Sequence, residues 1–171
     1  MEKYMKNVIL IGFMGAGKTA VGIRLSKKLG LDYIDTDQYI EEKEGMSISD
    51  IFAQKGEEYF RMLETSVIKE LMQLEKPTVF STGGGMPLRE ENAKLLKELG
   101  IVIYLKAEAD TIYARVKGDT KRPLLQCDDP KKKIMDLLKE RNPKYEAAGN
   151  YAVIVDGKDI QTVAQEVIKL L

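Results

Sequence analysis

"NVILIGFMGAGKTAVG", residues 7–22, decides the fold. Its apolar run, Val8 to Ile11, has the length and composition of a buried strand, and it breaks straight into glycine. Residues 12–19 then read Gly-Phe-Met-Gly-Ala-Gly-Lys-Thr, a full match to G-x-x-x-x-G-K-[ST]. Glycines at these places let the backbone turn until successive N–H groups converge on phosphate oxygens, at the positive end of the helix that follows. Lys18 is placed to neutralise β- and γ-phosphates, and the Thr19 hydroxyl to ligate Mg²⁺. The pattern implies a nucleoside triphosphate and magnesium. It does not say where the phosphoryl goes.

Outward from this loop, short apolar runs alternate with longer helical patterns, the signature of βαβ units around a parallel sheet. Strands are expected at Val8–Ile11, Tyr33–Asp35, Thr78–Ser81, Val102–Leu105 and Tyr151–Val155. Helices are expected near Thr19–Leu29, Asp50–Leu74, Glu90–Leu99, Ala109–Lys117, Lys131–Ala147 and Ile160–Leu171. Two segments break the alternation. Residues 46–75 read as one long helical insertion, and residues 118–129, "GDTKRPLLQCDD", carry neither pattern and have the character of a lid. The charge runs "EEKE" (41–44) and "DDPKKK" (128–133) read as solvated surface.

Composition narrows the classes. At 171 residues the chain suits one domain with one core, and its 44% hydrophobic and 32% charged residues exclude disordered and membrane-spanning types. Lysine plus arginine balances aspartate plus glutamate at 27 each, so no overall field attracts nucleic acid and any anion site is local. The chain has no histidine, which removes a histidine general base, histidine-ligated zinc and the serine–histidine triad. Its one cysteine, Cys127, has no disulfide partner within the chain and reads as a thiol of no consequence in a reducing compartment. The polar opening "MEKYMKN" leads into no signal-peptide apolar region, so a cytoplasmic protein without membrane attachment is expected.

The acceptor side is less local. Asp35 and Asp37 in "DTD" follow the second strand, and in an extended segment their side chains would point the same way. They are either a magnesium-and-acceptor carboxylate pair or ordinary turn and helix-capping acids. The third strand ends in "FSTGGG", with Ser81 and Thr82 where many P-loop proteins carry an aspartate, which makes Asp35 the nearest candidate for the magnesium side. Gly83, Gly84 and Gly85 allow close backbone approach to a ligand, or form a flexible turn. Glu57, Arg61 and Glu64 share one helix face. Spacing alone favours a surface salt-bridge ladder over an arginine aimed at an anionic substrate. Arg115, Arg122 and Arg141 are further cations; one entering on a lid would stabilise a transferred phosphoryl.

Taken together, "GFMGAGKT", "DTD", "FRMLE", "STGGG", "RPLL" and "RNPKY" come in an order and spacing that resemble the shikimate kinase family, from about residue 7 to 168. The resemblance implies a three-layer α/β P-loop kinase of the nucleoside-monophosphate-kinase type, with a five-stranded parallel sheet in the order 2-3-1-4-5. It implies one kinase domain, with an acceptor-binding insertion at about 36–64 and a lid at about 115–127. The activity implied is transfer of the γ-phosphoryl of MgATP to the 3-hydroxyl of shikimate. Lys18, Asp37 and Arg122 would be catalytic, with Asp37 either accepting the hydroxyl proton or only positioning the hydroxyl. ATP would rest on Gly15, Ala16, Gly17, Lys18, Thr19 and Ala20, with Arg115 on adenine and Arg122 on the phosphates. Asp37, Arg61, Gly83, Gly84, Gly85 and Arg141 would hold shikimate, and Glu64 would orient Arg61. Mg²⁺ would lie at Thr19, with Asp35 as the second or water-mediated group. The family pattern also implies a monomer. It assigns nothing to Lys121, nor to any side chain in "VDGKDIQTV" after the last strand.

The rivals are a gluconate kinase, whose acceptor is also a carboxylated polyol, a nucleoside monophosphate kinase, and a regulatory GTPase. The GTPase lacks support: there is no Asn-Lys-x-Asp element and no Asp-x-x-Gly after the third strand.

Overall fold

The computed structural model of the chain describes residues 6–118 and 126–171. Strand β1 (Val8–Ile11) is fully buried along its length, as a strand covered on both faces must be. It lies at the centre of a five-stranded sheet ordered β2-β3-β1-β4-β5, with β2 at Asp32–Asp35, β3 at Thr78–Ser81, β4 at Ile101–Lys106 and β5 at Tyr151–Ile154. Every pairing is parallel; Ile9 aligns with Phe80 on one side and with Val102 on the other. The chain therefore winds to both sides of β1, and the loop leaving β1 opens at the point where the winding reverses. Open α/β sheets place their ligands in that crevice.

Helices α1 (Lys18–Leu29) and α8 (Ile160–Leu170) pack together beside the sheet. The 46–75 insertion is not one helix. It holds α3 (Ile48–Lys55) and α4 (Glu57–Leu71), separated at Gly56, whose φ of 86° and ψ of 168° interrupt the helical path. The segment after β2 is also helical: α2 spans Thr36–Glu44, so Asp37 stands in a first helical turn and not on an extended strand. A short 3₁₀ turn at Met86–Leu88 follows the triple glycine, and α5 (Glu90–Leu99), α6 (Ala109–Val116) and α7 (Pro130–Ala148) complete the order. No helix among the described residues is long and apolar enough to cross a membrane.

Candidate active site

The loop after β1 is built as its glycines predict. Gly15 and Gly17 sit at φ 77° and 97°, in the left-handed region open to glycine, and Gly17 leads directly into α1. The Lys18 ammonium donates to the carbonyl oxygens of Gly12 (2.6 Å) and Phe13 (2.9 Å), which holds its charge at the loop. Ser81 and Thr82, which stand in place of an aspartate, brace the backbone: Ser81 Oγ donates to Lys18 O at 2.8 Å, and Thr82 Oγ1 to Leu10 O at 3.0 Å.

A cavity of about 650 Å³ opens over this loop. Lys18 and Thr19 line it from one side, Asp35 and Asp37 from another, and Gly83, Gly84 and Arg115 close it. Arg115 donates to Gly15 O at 3.0 Å and stands between this cavity and a smaller one of about 270 Å³, bounded by Ala16, Ala20 and the segment after β5 from Val155 to Ile160. Arg122, with the rest of 119–125 in the expected lid, lies outside the described residues.

Asp35 proves to be a helix cap as well as a cavity wall. Its Oδ1 accepts from Gln38 N at 3.1 Å, satisfying one of the first donors of α2. The helix-capping reading of the acid pair thus holds for Asp35, which also lines the cavity. Thr19 and Asp35 both line the cavity and offer hard oxygen donors, and among the described residues no cluster of three or more acidic side chains forms a metal cage. Such a sparse donor set fits magnesium, which keeps several waters and takes its remaining ligands from substrate phosphates.

The triple glycine is where the acceptor-side groups meet. A Cβ added at Gly83 would fall 2.5 Å from Asp37 Oδ1, and one at Gly85 would fall inside the Arg61 guanidinium. A carboxylate and a guanidinium therefore lean on the same three-residue backbone, in space that only glycine leaves. The buried Thr36 hydroxyl accepts from Gly83 N at 3.2 Å and ties the start of α2 to that backbone. Arg61 Nη1 bonds Glu64 Oε1 at 2.6 Å, while Glu57 stands 3.7 Å from Nη2. With only 20% of the Arg61 side chain and 1% of Glu64 exposed, this is no surface ladder. Arg141 places its guanidinium over the Phe13 ring of the phosphate loop, 5.4 Å from the ring centroid.

The electrostatics follow from burial. Loss of water pushes the Asp37 carboxyl up to about 6, and the neighbouring Asp35 adds to the rise, against the pull of Lys18 and Arg61. Burial likewise pushes Glu64 up to about 7, although Arg61 pulls the other way. The second Glu64 oxygen, Oε2, has no hydrogen-bond partner among the described residues. Arg61 and Glu64 thus act as one unit, with the guanidinium holding a carboxyl that would otherwise be costly to bury.

The shikimate kinase family model matches residues 14–171. A shikimate kinase of Thermodesulfovibrio yellowstonii is 46% identical over 165 residues, which span 96% of this chain and 94% of that one. The chain belongs to the shikimate kinase family. With it, the protein is an ATP-dependent small-molecule kinase that acts on an alcohol group. A solved Acinetobacter baumannii shikimate kinase, in complex with shikimate, superposes with a TM-score of 0.91 at 39% identity, over 98% of this chain and 93% of that chain. A gluconokinase from Sinorhizobium meliloti superposes with a TM-score of 0.61 at 16% identity, over 98% of this chain and 92% of that chain. That likeness shows a common fold and no more.

The cavity of this shikimate kinase family member has walls that sequence reasoning missed. Gln38 and Glu41 of α2 face the cavity beside Asp37. The signal was present: Asp35 and Gln38 form the D-x-x-Q pattern of a capping box, which marks a helix start. Thr36 and Tyr145 went unread because their partners lie 47 and 61 residues away.

Proposed function

We propose that the chain transfers the γ-phosphoryl of MgATP to the 3-hydroxyl of shikimate, giving 3-phosphoshikimate and ADP. The observation that carries this reading is that Asp37, which lines one cavity with Lys18 and Thr19, packs on Gly83, while Arg61 packs on Gly85 two residues further on. An acceptor that is both an alcohol and a carboxylate needs a carboxylate for its hydroxyl and a fixed guanidinium for its acid. Both stand on one rigid backbone here.

In this reading Asp37, ionised above pH about 6, accepts a hydrogen bond from the reacting hydroxyl and orients it towards the γ-phosphorus. A loose phosphoryl-transfer transition state asks for little early proton removal, so orientation is its main contribution and proton acceptance comes late. Arg61, held by Glu64, and Arg141 grip the shikimate carboxylate, with the Gly83–Gly85 backbone beside them. The insertion at 36–64 is then the acceptor-binding part. Lys18 and the loop N–H groups hold the transferring phosphoryl's charge. Thr19, with Asp35 behind it, would hold magnesium, which would supply positive charge against the phosphates. Arg115 takes the adenine side, and Arg122, on sequence resemblance alone, the phosphates within a lid at 115–127. We place the enzyme in the cytoplasm as a monomer, in keeping with its exposed, unpaired Cys127.

A coupled assay of ADP release tests the reading, with shikimate, gluconate and AMP offered in turn. Turnover is expected on shikimate. Turnover on gluconate or AMP but not on shikimate would overturn it.

A further inference from the structure

The motif "RNPKY", residues 141–145, holds a tyrosine to which the proposed reaction gives no role. Tyr145 is fully buried, and its hydroxyl donates to Gly84 O at 2.7 Å. A phenol has one hydrogen to give and lone pairs to receive with. Arg141, one helical turn earlier on α7, sets its positive charge beside the same phenol. The ring is fixed from behind by Tyr104, with centroids 5.1 Å apart. Gly84 itself lies between Gly83, against Asp37, and Gly85, against Arg61. One buried hydroxyl thus ties α7, the helix that carries Arg141, to the centre of the triple glycine.

We propose that Tyr145 is a positioning residue, whose hydroxyl sets the distance between Arg141 and the triple glycine and so shapes the subsite for the acceptor carboxylate. The inference rests on the reading above that the acceptor is a carboxylated alcohol. A tyrosine that only filled the core would be replaced by phenylalanine at little cost to binding, since the ring supplies all of that packing. One that acts through Gly84 loses, when the hydroxyl goes, the bond that fixes α7 and its Arg141 against the triple glycine. Burial raises the phenol above its ordinary range and keeps it protonated, as its donor role requires.

The test is Tyr145→Phe, whose phenyl ring preserves the packing against Tyr104. The KM for shikimate is expected to rise about tenfold, the loss of one buried hydrogen bond to a charged network, while the KM for ATP stays within about twofold. An unchanged KM for shikimate, or an equal rise in both constants, overturns the inference. Tyr104→Phe removes another buried hydroxyl that bonds α7, through Asn142 at 2.6 Å. It is expected to lower Tm with the KM for shikimate within about twofold. A rise equal to that of Tyr145→Phe would mean general loosening of α7 and would also overturn it. The double variant with Arg141→Lys adds an internal check, because two residues acting as one unit give less than the product of their single effects, and full multiplicativity counts against the coupling. Wild-type turnover on gluconate instead of shikimate would overturn the proposed function and leave this test standing, read on the KM for gluconate. Turnover on shikimate with no change in Tyr145→Phe would overturn the present inference alone.

Discussion

The two sides of the cavity are built by opposite means. The proposed nucleotide side is one unbroken stretch, residues 12–19, which offers mainly backbone N–H groups held by glycine conformations. The proposed acceptor side draws on four segments, at 35–37, 61–64, 83–85 and 141–145, and offers side chains that lean on a glycine backbone. A backbone cradle takes its shape mainly from local geometry, even where distant side chains brace it. A side-chain assembly depends on tertiary packing, on buried charge and on partners far away in sequence. The consequence is separability: substitutions on the acceptor side should alter acceptor recognition and turnover while the nucleotide stays bound.

The strongest attempt to break that contrast is Asp37→Asn. The side chain keeps its size but loses its charge, so the hydroxyl loses its charged partner and its late proton acceptor. Turnover is expected to fall by about 10²–10⁴, with ATP affinity by calorimetry nearly unchanged. Loss of ATP binding, or near-normal kcat, would remove Asp37 from the proposed mechanism. The wild-type pH profile belongs to the same test. Since Asp37 titrates near 6, kcat/KM for the acceptor is expected to decline as pH falls through about 6. Stability should move the other way. Asp37 and Glu64 have ordinary values of 3.8 and 4.5, raised to about 6 and about 7 in the folded chain. The folded state therefore holds protons that the unfolded state has released. Its advantage is complete below about pH 4 and is lost as pH rises through 6 to 7. Thermal unfolding followed from pH 5 to 8 should show Tm falling, by about 5 °C, while acceptor turnover rises.

The same contrast explains what could be read without coordinates. The strand Val8–Ile11 and the loop Gly12–Thr19 are legible because their signals are local: an apolar run, then glycines at set spacing. The Arg61–Glu64 pair was within reach because its members are three residues apart on one helix, although spacing alone says nothing of their burial. The helix at Thr36–Glu44 was hidden by treating "DTD" as the tail of a strand, when Asp35 in fact ends the strand and caps the helix. The break at Gly56 was hidden because helical periodicity continues on both sides, and an isolated glycine is tolerated inside a helix at a modest cost. The bond from Tyr145 to Gly84 has no local signature at all, as it spans 61 residues. What needed the fold was, in each case, a contact distant in sequence or a backbone angle.

A narrower probe of the acceptor side is Arg61→Ala. Removing the guanidinium takes away the proposed carboxylate grip and leaves Glu64 buried without the hydrogen bond that Arg61 gives it. The KM for shikimate is expected to rise about 100-fold, as for truncation of one member of a buried charged pair, and the KM for ATP to change little. Steady-state kinetics with each substrate varied in turn reads both. If the ATP constant rises and the shikimate constant does not, Arg61 serves the nucleotide and the division into two sides fails.

The smallest effect sharpens the comparison by separating backbone conformation from chemistry. Gly56 lies between α3 and α4, one turn before Arg61, at a φ and ψ that side-chain-bearing residues almost never adopt. A Cβ added there would meet nothing within 4 Å. Gly56→Ala therefore carries a conformational cost and no collision, about 1–3 kcal/mol, or a drop in Tm of roughly 5 °C for a chain of this size. Because α4 begins at the next residue, some of that strain reaches the direction in which Arg61 points, and the KM for shikimate is expected to rise about two- to threefold, well short of Arg61→Ala. The KM for ATP should hold. A shift in the ATP constant would show that the insertion's backbone also supports the phosphate loop, and the two sides would then be one cooperative unit. A fall in Tm with both constants unchanged would show that α4 is held by its own packing, and that Gly56 only lets the chain turn into it.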